Sequence, residues 1–294
     1  MKFANLHLHT IYSDGAQTPD QIFEKAKEQG FGALAITDHN TVTGWRAFSE
    51  AAKNHGMDCI LGMEANGIMG NSNLHFVCFD FDETDNKVAE YLKYHHEIMY
   101  VNSKAKFDSL VKHNYINGIT WQDVLDDCKE PMWMCNEQIF ASLVKRTEMT
   151  QADYRQYFLA FRAAPVEQSA RIVYSDAEDI IKIIRNAGGV IGLAHPHCIT
   201  KYLPELYEMG MNAVEYDHPD IDQKDIEEIL AFAKGKKIYM AGGTDHTGML
   251  SNFPLERETD PEDRDPCFLV PLSTDVRNGV TKEEYLALKN RIYG

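Results

Sequence analysis

Short apolar runs alternate with amphipathic stretches over the first eighty residues of the chain. Runs of strand length lie at residues 2–8, 31–37, 57–63 and 74–81. Between the first three, apolar residues recur with helical spacing at 18–29 and 43–55. The first of these helices opens on Thr18, Pro19 and Gln21, which suit the N-cap, the first helical position and the capping box. This alternation of strand and helix patterns predicts an α/β protein with a parallel sheet or barrel.

Strand signals are absent from about residue 82 to residue 171. Helical spacing and N-terminal capping boxes predict five helices there, at 86–100, 103–113, 120–128, 136–147 and 150–161. So long a helical stretch within an α/β pattern predicts an inserted subdomain, and we expect it to cover the mouth of a site. The predicted domains are therefore a barrel of residues 1–81 and 172–294 and a helical insertion of residues 82–171.

The α/β rhythm resumes with a capping box at residues 175–178. Apolar runs predict strands at 190–194, 213–216, 238–241 and 268–272. Amphipathic stretches predict helices at 203–209, 223–234 and 281–292, and residues 247–266 read as a long polar loop. The second half thus has the same architecture as the first.

Composition and charge narrow the class of partner and the compartment. The formal net charge of -16 argues against a nucleic-acid polymer or an anionic membrane surface, because both bind basic patches. The six cysteines show no CxxC spacing, which favours reduced thiols in a cytoplasm. Neither a signal peptide nor an apolar run of membrane-spanning length is present, so we expect a soluble, cytoplasmic protein. The oligomeric state is left open.

Histidine and carboxylate residues gather where the predicted strands end. Such residues follow nearly every strand, and the set comprises His7, His9, Asp14, Asp38, His39, Glu64, His75, His195, His197, Asp217, His218, Asp245 and His246. A lone His-x-His pair is compatible with two structural histidines, but packing alone would scatter the set over the elements. Imidazole and carboxylate without thiolate suit Zn²⁺, Mn²⁺ or Fe²⁺ with open positions. Because the set exceeds what one ion can take, a metal cluster is predicted.

The motifs formed by these residues resemble those of the polymerase and histidinol phosphatase (PHP) family. They read HLHTIYSDG at 7–15, ITDHNT at 36–41, GME at 62–64, His75, LAHPH at 193–197 and GGTDH at 242–246. They occur in the order and with the spacing typical of that family. The resemblance implies an α/β fold, a distorted (β/α)7 barrel of the PHP type with an inserted helical subdomain. It also implies a trinuclear metal centre of three divalent ions at the C-terminal ends of the strands.

The resemblance also implies a ligand for each ion. His7, His9, Glu64 and Asp245 would hold the first ion, and Glu64 would bridge to a second held by His75 and His195. Asp14 and His39 would hold the third. The family's last motif usually reads Asp-x-His, whereas here His246 directly follows Asp245. We expect His246 to complete the third set, with His197 or His218 as alternatives.

A metal-dependent phosphoesterase acting on a small phosphorylated metabolite is the predicted function. A metal-bridging hydroxide oriented by Glu64 would attack phosphorus, and His197, His218 or Asp14 would protonate the leaving alkoxide, with inorganic phosphate as product. His218 precedes Pro219, so it also suits an ordinary turn. A hydrolase of C–N bonds is an alternative from another class, although no lysine lies at a strand end. A non-catalytic metal-binding module is the other.

Substrate recognition is expected from the inserted region. Lys145, Arg146 and Arg171 are the candidate cations for a phosphate, although each suits a solvated surface position as well. PHP members that cleave nucleotides tend to carry an Arg-Pro-His helix start in the insertion. The local counterpart is residues 134–138, with Asn136 as a further candidate, and it lacks that Arg and His. This leaves a phosphomonoester such as a nucleotide or sugar phosphate, or alternatively a small cyclic phosphodiester.

Overall fold

The computed structural model of the chain describes residues 2–128, 133–166, 172–245 and 278–293. Within them, eight strands form one sheet. The strands are β1 (Ala4–Asn5), β2 (Ala33–Ile36), β3 (Asp58–Met69), β4 (Ser72–Phe79), β5 (Ser175–Asp176), β6 (Val190–Leu193), β7 (Ala213–Asp217) and β8 (Tyr239–Gly242). Seven of them follow the order β1-β2-β3-β4-β6-β7-β8, and β5 pairs beside β3. β4 is antiparallel to both of its neighbours, while the other pairs are parallel.

The two ends of this sheet meet, which makes a nearly closed barrel. The Leu6 amide donates to the Gly242 carbonyl at 2.9 Å, and the Asp245 amide donates to the His7 carbonyl at 3.0 Å. A Cβ atom at Gly243 would lie 2.3 Å from the His7 nitrogen, so only glycine permits this approach. The predicted distorted seven-stranded barrel is therefore observed.

Ten α-helices lie within the described residues. They are α1 (Pro19–Glu28), α2 (Trp45–His55), α3 (Asn86–Lys112), α4 (Trp121–Asp127), α5 (Asn136–Arg146), α6 (Tyr154–Ala163), α7 (Ala177–Asn186), α8 (Leu203–Glu208), α9 (Gln223–Ala233) and α10 (Lys282–Lys289). Thr18 and Gln21 form the predicted capping box of α1. No helix in the described part of the chain is both long and apolar enough to span a bilayer. The predicted strand at 268–272 and the loop at 247–266 lie outside the described residues.

The short strands β2 and β6 are buried on both faces, as strands of parallel sheets usually are. In β2, Ala33 and Ala35 belong to a core cluster that includes Tyr285 of α10, whereas Leu34 and Ile36 face the larger cluster between sheet and helices. The strands are therefore rigid supports for residues at their C-terminal ends.

Two predicted helices of the insertion are a single helix. Residues 86–100 and 103–113 were expected to be separate, but α3 runs unbroken over 27 residues, about 40 Å. Ser103, expected at a helix start, lies in its interior and donates to the Met134 carbonyl at 2.9 Å. Neither glycine nor proline interrupts the sequence there, so the helix continues.

The helical region has a hydrophobic core of its own. This core cluster joins the second half of α3 to α4, α5 and α6, with Phe107, Val124, Phe140 and Tyr157 among its members. The first half of α3 packs instead on the barrel through Val88 and Leu92. These contacts support an inserted subdomain, and the boundaries at residues 82 and 171 stay a prediction.

Two further local expectations were wrong. The strand expected to end at Glu64 continues to Met69 as one arm of the β3–β4 hairpin, so Glu64 and His75 lie inside strands. The helix start expected as a capping box at Ser175 is instead a short strand, and Asp176 is the N-cap of α7. In both cases pairing with neighbouring strands decides the local structure.

Candidate metal centre

Glu64 is the centre of the candidate site. It lies in β3, its carboxylate is almost completely buried, and five imidazole rings surround it. Oε2 lies 3.3 Å from His7 Nε2, 3.3 Å from His9 Nε2 and 3.2 Å from His39 Nδ1. Oε1 lies 2.8 Å from His75 Nδ1 and 3.0 Å from His195 Nε2. The two oxygens therefore face two different groups of histidines.

His7 and His9 follow β1 and reach the site together. Their neighbours Leu6 and Leu8 are buried in two different core clusters, while both imidazoles approach the same Glu64 oxygen. Asp245 follows β8, and its Oδ1 lies 2.9 Å from His9 Nε2 and 3.6 Å from His7 Nε2. With Glu64 these residues offer four ligand atoms within 4.8 Å of one another.

Several buried polar atoms of this cluster have no hydrogen-bond partner among the described residues. They are His7 Nε2, His9 Nε2, His39 Nδ1 and Glu64 Oε2. Unsatisfied buried polar atoms are rare and costly in proteins, and here they converge on one another. Imidazole nitrogens and carboxylate oxygens are ligands of divalent transition metals. The residues therefore fit bound cations.

The charges of the cluster depend on each other. Burial lowers the pKa of His7, but the nearby carboxylates, Glu215 and Glu64 first, raise it well above its usual range. Burial opposes ionisation of Glu64, yet the surrounding imidazoles, His39 and His7 first, hold the pKa of its carboxyl well below its usual range. Protons on the imidazoles thus balance the carboxylates when cations are absent.

A second group of ligand atoms surrounds Asp14. Its Oδ1 lies 3.1 Å from His9 Nδ1, and its Oδ2 lies 3.7 Å from His39 Nε2. Burial alone raises the pKa of Asp14, but the charges of His9 and His39 outweigh it and lower the pKa to about 2. Asp14, His9 and His39 form a potential metal-ligand group. His246, the expected further ligand of this set, lies outside the described residues.

Strained backbone occurs at two of the predicted ligands. His195 has φ of +29° and Asp245 has φ of +50°, a region that residues other than glycine rarely adopt. Each residue follows the end of a barrel strand. Strain of this kind persists where surrounding structure enforces it, and it is common at functional sites.

Glu215 is a site residue that the sequence analysis missed. It lies in β7, is fully buried, and its two carboxylate oxygens each lie 3.1 Å from His7 Nδ1. The His195 amide donates to its Oε2 at 2.7 Å. A proton on His7 Nδ1 leaves Nε2 as the ligand atom, so Glu215 sets the tautomer. A glutamate within the apolar run Ala213–Tyr216 was the available signal.

Asp38 holds the loop that carries His9 and Asp14. The Thr10 amide and the Thr10 and Ser13 hydroxyls donate to its carboxylate at 2.7 Å each. Asp38 is almost completely buried. These bonds fix the loop relative to β2, so the Asp38 carboxylate positions the loop that carries the predicted ligands.

His197 and His218, the alternative ligands of the third ion, make different contacts. His197 Nδ1 lies 2.5 Å from Asp225 Oδ2, which turns the ring towards α9. His218 is buried against the cluster, with Nε2 3.9 Å from Asp245 Oδ2. The Asp220 amide donates to His218 Nδ1 at 3.1 Å, so the proton of the neutral ring is on Nε2. Burial lowers the pKa of His218 to about 4, and its Nε2–H therefore suits a hydrogen-bond donor.

Two of the candidate substrate cations bind carboxylates within the helical region. Lys145 pairs with Asp127, and Arg146 pairs with both Asp127 and Asp123 at 2.7 Å. Arg171 lies outside the described residues. Their part in substrate binding stays a prediction, and the intramolecular pairs of Lys145 and Arg146 weigh against it.

Asn136 borders a cleft that opens beside Asp14. The cleft has a volume of about 380 Å³ and lies between α3, the start of α5 and α6. Its lining includes Asp14, Lys106, Trp133, Asn136, Glu137 and Phe161. The helical region therefore supplies most of the surface next to the third set of ligands.

Comparison with known proteins identifies the family. The PHP domain model matches residues 5–193, which include all the predicted ligands up to His75. The chain belongs to the PHP family.

Two relatives match this PHP chain over most of their length. A phosphoribosyl 1,2-cyclic phosphate 1,2-diphosphodiesterase of Eggerthella lenta is 26% identical over 254 residues, covering 85% of this chain and 96% of that protein. A 3',5'-nucleoside bisphosphate phosphatase of Chromobacterium violaceum is 24% identical over 262 residues, covering 86% and 82%. Other relatives are named 5'-3' exoribonucleases, so the expectation that no nucleic-acid polymer is bound stays a prediction.

A solved structure confirms the fold of the PHP chain. A Bifidobacterium adolescentis protein, provisionally named a metal-dependent phosphoesterase, superposes with a TM-score of 0.76. The match covers 99% of this chain and 96% of that one, at 20% identity. The likeness therefore extends over both the barrel and the helical region.

Proposed function

We propose that the substrate of this PHP-family phosphoesterase is a small phosphomonoester, hydrolysed at a centre of three divalent cations, Mn²⁺, Zn²⁺ or Fe²⁺. The observation that carries the proposal is Glu64, whose two buried oxygens face separate groups of histidines. A carboxylate in that position is suited to bridge two cations. Asp14, with His9 and His39, supports a third position.

The bound cations supply the chemistry that phosphate-ester hydrolysis needs: they lower the pKa of coordinated water and neutralise charge on the phosphoryl oxygens. The protein's own residues hold the cations and exclude solvent. His7, His9 and Glu64 are fully or almost fully buried, so the charges act in surroundings of low dielectric constant. Asp14 lines the neighbouring cleft, so a substrate bound in that cleft would lie next to the residues that would hold the third cation.

His218 is our candidate for the hydrogen-bond donor that stabilises the leaving-group oxygen while that oxygen takes its proton from water. Its Nε2 is buried, lacks a hydrogen-bond partner among the described residues, and carries the proton of the neutral ring. The ring centroid lies 5.3 Å from that of His195 and 5.6 Å from that of His7. His197 is less suitable, because its ring binds Asp225.

A small cyclic phosphodiester is the second candidate substrate. The observation that favours it is the match to 96% of a relative named for its action on a phosphoribosyl cyclic phosphate. The cleft of about 380 Å³ can accommodate a substrate of that size class. Both candidates need the same cluster, so they differ only in how the leaving group is attached.

The decisive variant is Glu64→Gln, with the exposed Glu24→Gln as control. Removing the shared carboxylate should lower kcat at least about a thousandfold, because cation stabilisation is worth several kcal/mol. Phosphate release is measured on aryl, sugar and nucleotide phosphates, ring opening of cyclic phosphates to monoesters is followed by phosphorus NMR, and bound metal is measured by elemental analysis. We expect Glu64→Gln to lose metal and to keep the circular dichroism spectrum of the wild type.

Three results would contradict the proposal. Near-normal turnover by Glu64→Gln would remove Glu64 from the reaction. Hydrolysis of amides, with no phosphate released from any ester, would favour a C–N hydrolase. Wild-type protein with well under one metal ion per chain after metal loading would favour a non-catalytic module.

A further inference from the structure

The cleft beside Asp14 contains polar groups that the phosphoryl chemistry does not use. Trp133, Asn136 and Glu137 form the wall that belongs to the start of α5, and Asp14 forms the boundary with the metal cluster. The inference drawn from this wall rests on the proposed function. When the phosphoryl group is at the cations, the wall would contact the organic part of the substrate.

This wall is held firmly on the metal-binding loop. The Gln138 side chain donates to the Ser13 carbonyl and accepts from the Cys135 amide at 2.7 Å, as in a capping box. The Cys135 thiol lies 2.9 Å from the same Gln138 oxygen. Residues 133–138 thus have a fixed position relative to Asp14, as a recognition surface requires.

Glu137 is a buried carboxyl group without a cationic partner among the described residues. Only 6% of the residue is exposed. The donors that reach it are neutral; among them, the Asn136 amide at 2.6 Å and the Tyr154 hydroxyl at 2.7 Å both bind Oε1. Burial and the charge of Asp14 raise the pKa of Glu137 to about 7. A buried carboxyl is costly unless it is paired, so it favours a ligand that brings a hydrogen-bond donor.

Trp133 lines the same cleft as Glu137 and contacts the metal cluster. Its ring packs on His39 with centroids 5.0 Å apart. Its Nε1 atom is buried and has no hydrogen-bond partner among the described residues. Buried indole N–H groups usually have a partner, so this donor indicates an oxygen acceptor on a ligand in the cleft.

We propose that Glu137 and Trp133 form a subsite that selects the leaving group of the substrate. Glu137 accepts a hydrogen bond from a hydroxyl or ammonium group close to the ester, and Trp133 Nε1 donates to an ester or phosphoryl oxygen. The favoured substrates are thus small aliphatic phosphate esters that carry a donor, in preference to plain alkyl or aryl phosphates.

The test measures kcat/KM on four phosphate esters. Glycerol phosphate carries hydroxyl donors, ethanolamine phosphate carries an ammonium donor, and propyl and phenyl phosphate carry no donor on the organic part. The wild type should prefer one or both donor-bearing esters over propyl phosphate. Measured at pH 8, where the carboxyl is mostly ionised, Glu137→Gln should reduce that preference by about tenfold or more, mainly through KM, because a hydrogen bond to a charged group is lost. Which ester loses more identifies the donor as hydroxyl or ammonium.

Glu148→Gln is the matched control, since Glu148 is exposed just beyond the same helix. Trp133→Phe keeps an aromatic ring against His39 but removes the N–H, and it should raise KM for all four esters more than it changes kcat. Melting temperatures of all variants show whether each one folds.

Three outcomes overturn the inference. The first is an unchanged preference in a folded Glu137→Gln variant, and the second is an equal loss on all four esters. The third is an unchanged KM in Trp133→Phe. If the wild type releases phosphate from none of the four, calorimetric titration of the same esters decides the subsite, while the panel of aryl, sugar, nucleotide and cyclic phosphates decides the proposed function separately. The subsite would still be supported if the wild type binds the donor-bearing esters more tightly and Glu137→Gln loses this advantage. Equal binding of all four esters by the wild type would refute the subsite.

Discussion

Glu215 acts on the candidate site without being one of its predicted ligands. Its carboxylate holds the His7 ring through Nδ1 and the His195 backbone through the amide. The first contact presents His7 Nε2 towards Glu64, and the second supports the strained turn at His195. One buried carboxylate therefore positions residues on two sides of the cluster.

Glu215→Gln should weaken metal binding by about 10- to 100-fold, the usual effect of removing a support behind a histidine ligand. The neutral amide accepts a weaker hydrogen bond from His7 Nδ1–H and permits the other tautomer. Competition with a chelator of known affinity measures the change, and the exposed Glu205→Gln is the control. Equal affinity in Glu215→Gln and wild type would show that the ring orientation of His7 does not depend on this contact.

Residue-level prediction from the sequence worked best where a strand dictates side-chain direction. His7 and His9 were expected on one side of their strand, and the structure places both against Glu64. Glu215 was missed because its strand reads as an apolar run, and the partner that explains its burial lies 208 residues earlier in the chain. His218 was left open between ligand and proton donor, and only its contact with the Asp220 amide distinguishes them.

At the scale of elements, α3 connects two cores. Its first half packs on the barrel and its second half packs within the helical region. The periodicity of the sequence predicted helix on both sides of residues 101–102 but not their continuity, because a serine at a helix start and one in a helix interior look alike. The Met134 carbonyl that binds Ser103 is a tertiary contact.

A proline in the middle of α3 tests this continuity. Val101 is 48% exposed, so Val101→Pro loses little side-chain packing. In an unbroken helix it should lower the free energy of unfolding by about 3 kcal/mol or more, since it removes a hydrogen bond and clashes with the preceding turn. Urea denaturation measures the difference, with Val101→Ala as control. Equal stability of the two variants would indicate a break between two separate helices.

The β3–β4 hairpin explains why Glu64 was expected at a strand end. A residue at the mouth of a barrel usually follows the end of its strand. The pairing of β3 with β2 ends at Leu61, and Glu64 follows that point. Beyond that point β3 pairs with the antiparallel β4, which aligns Glu64 with Val77 and Asn66 with His75. The identity of the site residue was therefore predictable, whereas the strand that carries it depends on a pairing that a single sequence does not show.

At the scale of the whole molecule, the cluster joins the two ends of the described sheet. His7 follows β1 and Asp245 follows β8, and the main-chain bonds that close the barrel lie beside them. Cations bound at this junction stabilise only the closed barrel, because an unfolded chain does not bring these ligands together. Metal binding and barrel stability are consequently coupled.

Removal of metal should lower the melting temperature, and the loss should shrink as the pH falls. Burial works against protonation of His7 and His9, but carboxylates hold their pKa values well above the usual range, so the metal-free site retains protons near neutrality. Cations must displace these protons, so their apparent affinity decreases as the pH decreases. Calorimetry with chelator and with added Mn²⁺ at pH 6 and pH 8 measures both effects. A melting temperature unaffected by chelation at pH 8 would contradict the prediction.

The contact of Gln138 with the Ser13 carbonyl has a consequence for how the protein retains its cations. It joins the segment that contains Glu137 to the loop that contains Asp14, so an organic group at one and a cation at the other share a single rigid unit. Thermodynamic reciprocity then applies: if the cation strengthens binding of the organic group by some factor, the organic group strengthens binding of the cation by the same factor. We therefore expect the third cation to be held most tightly while the ester is bound, and to exchange most readily after the alcohol has left.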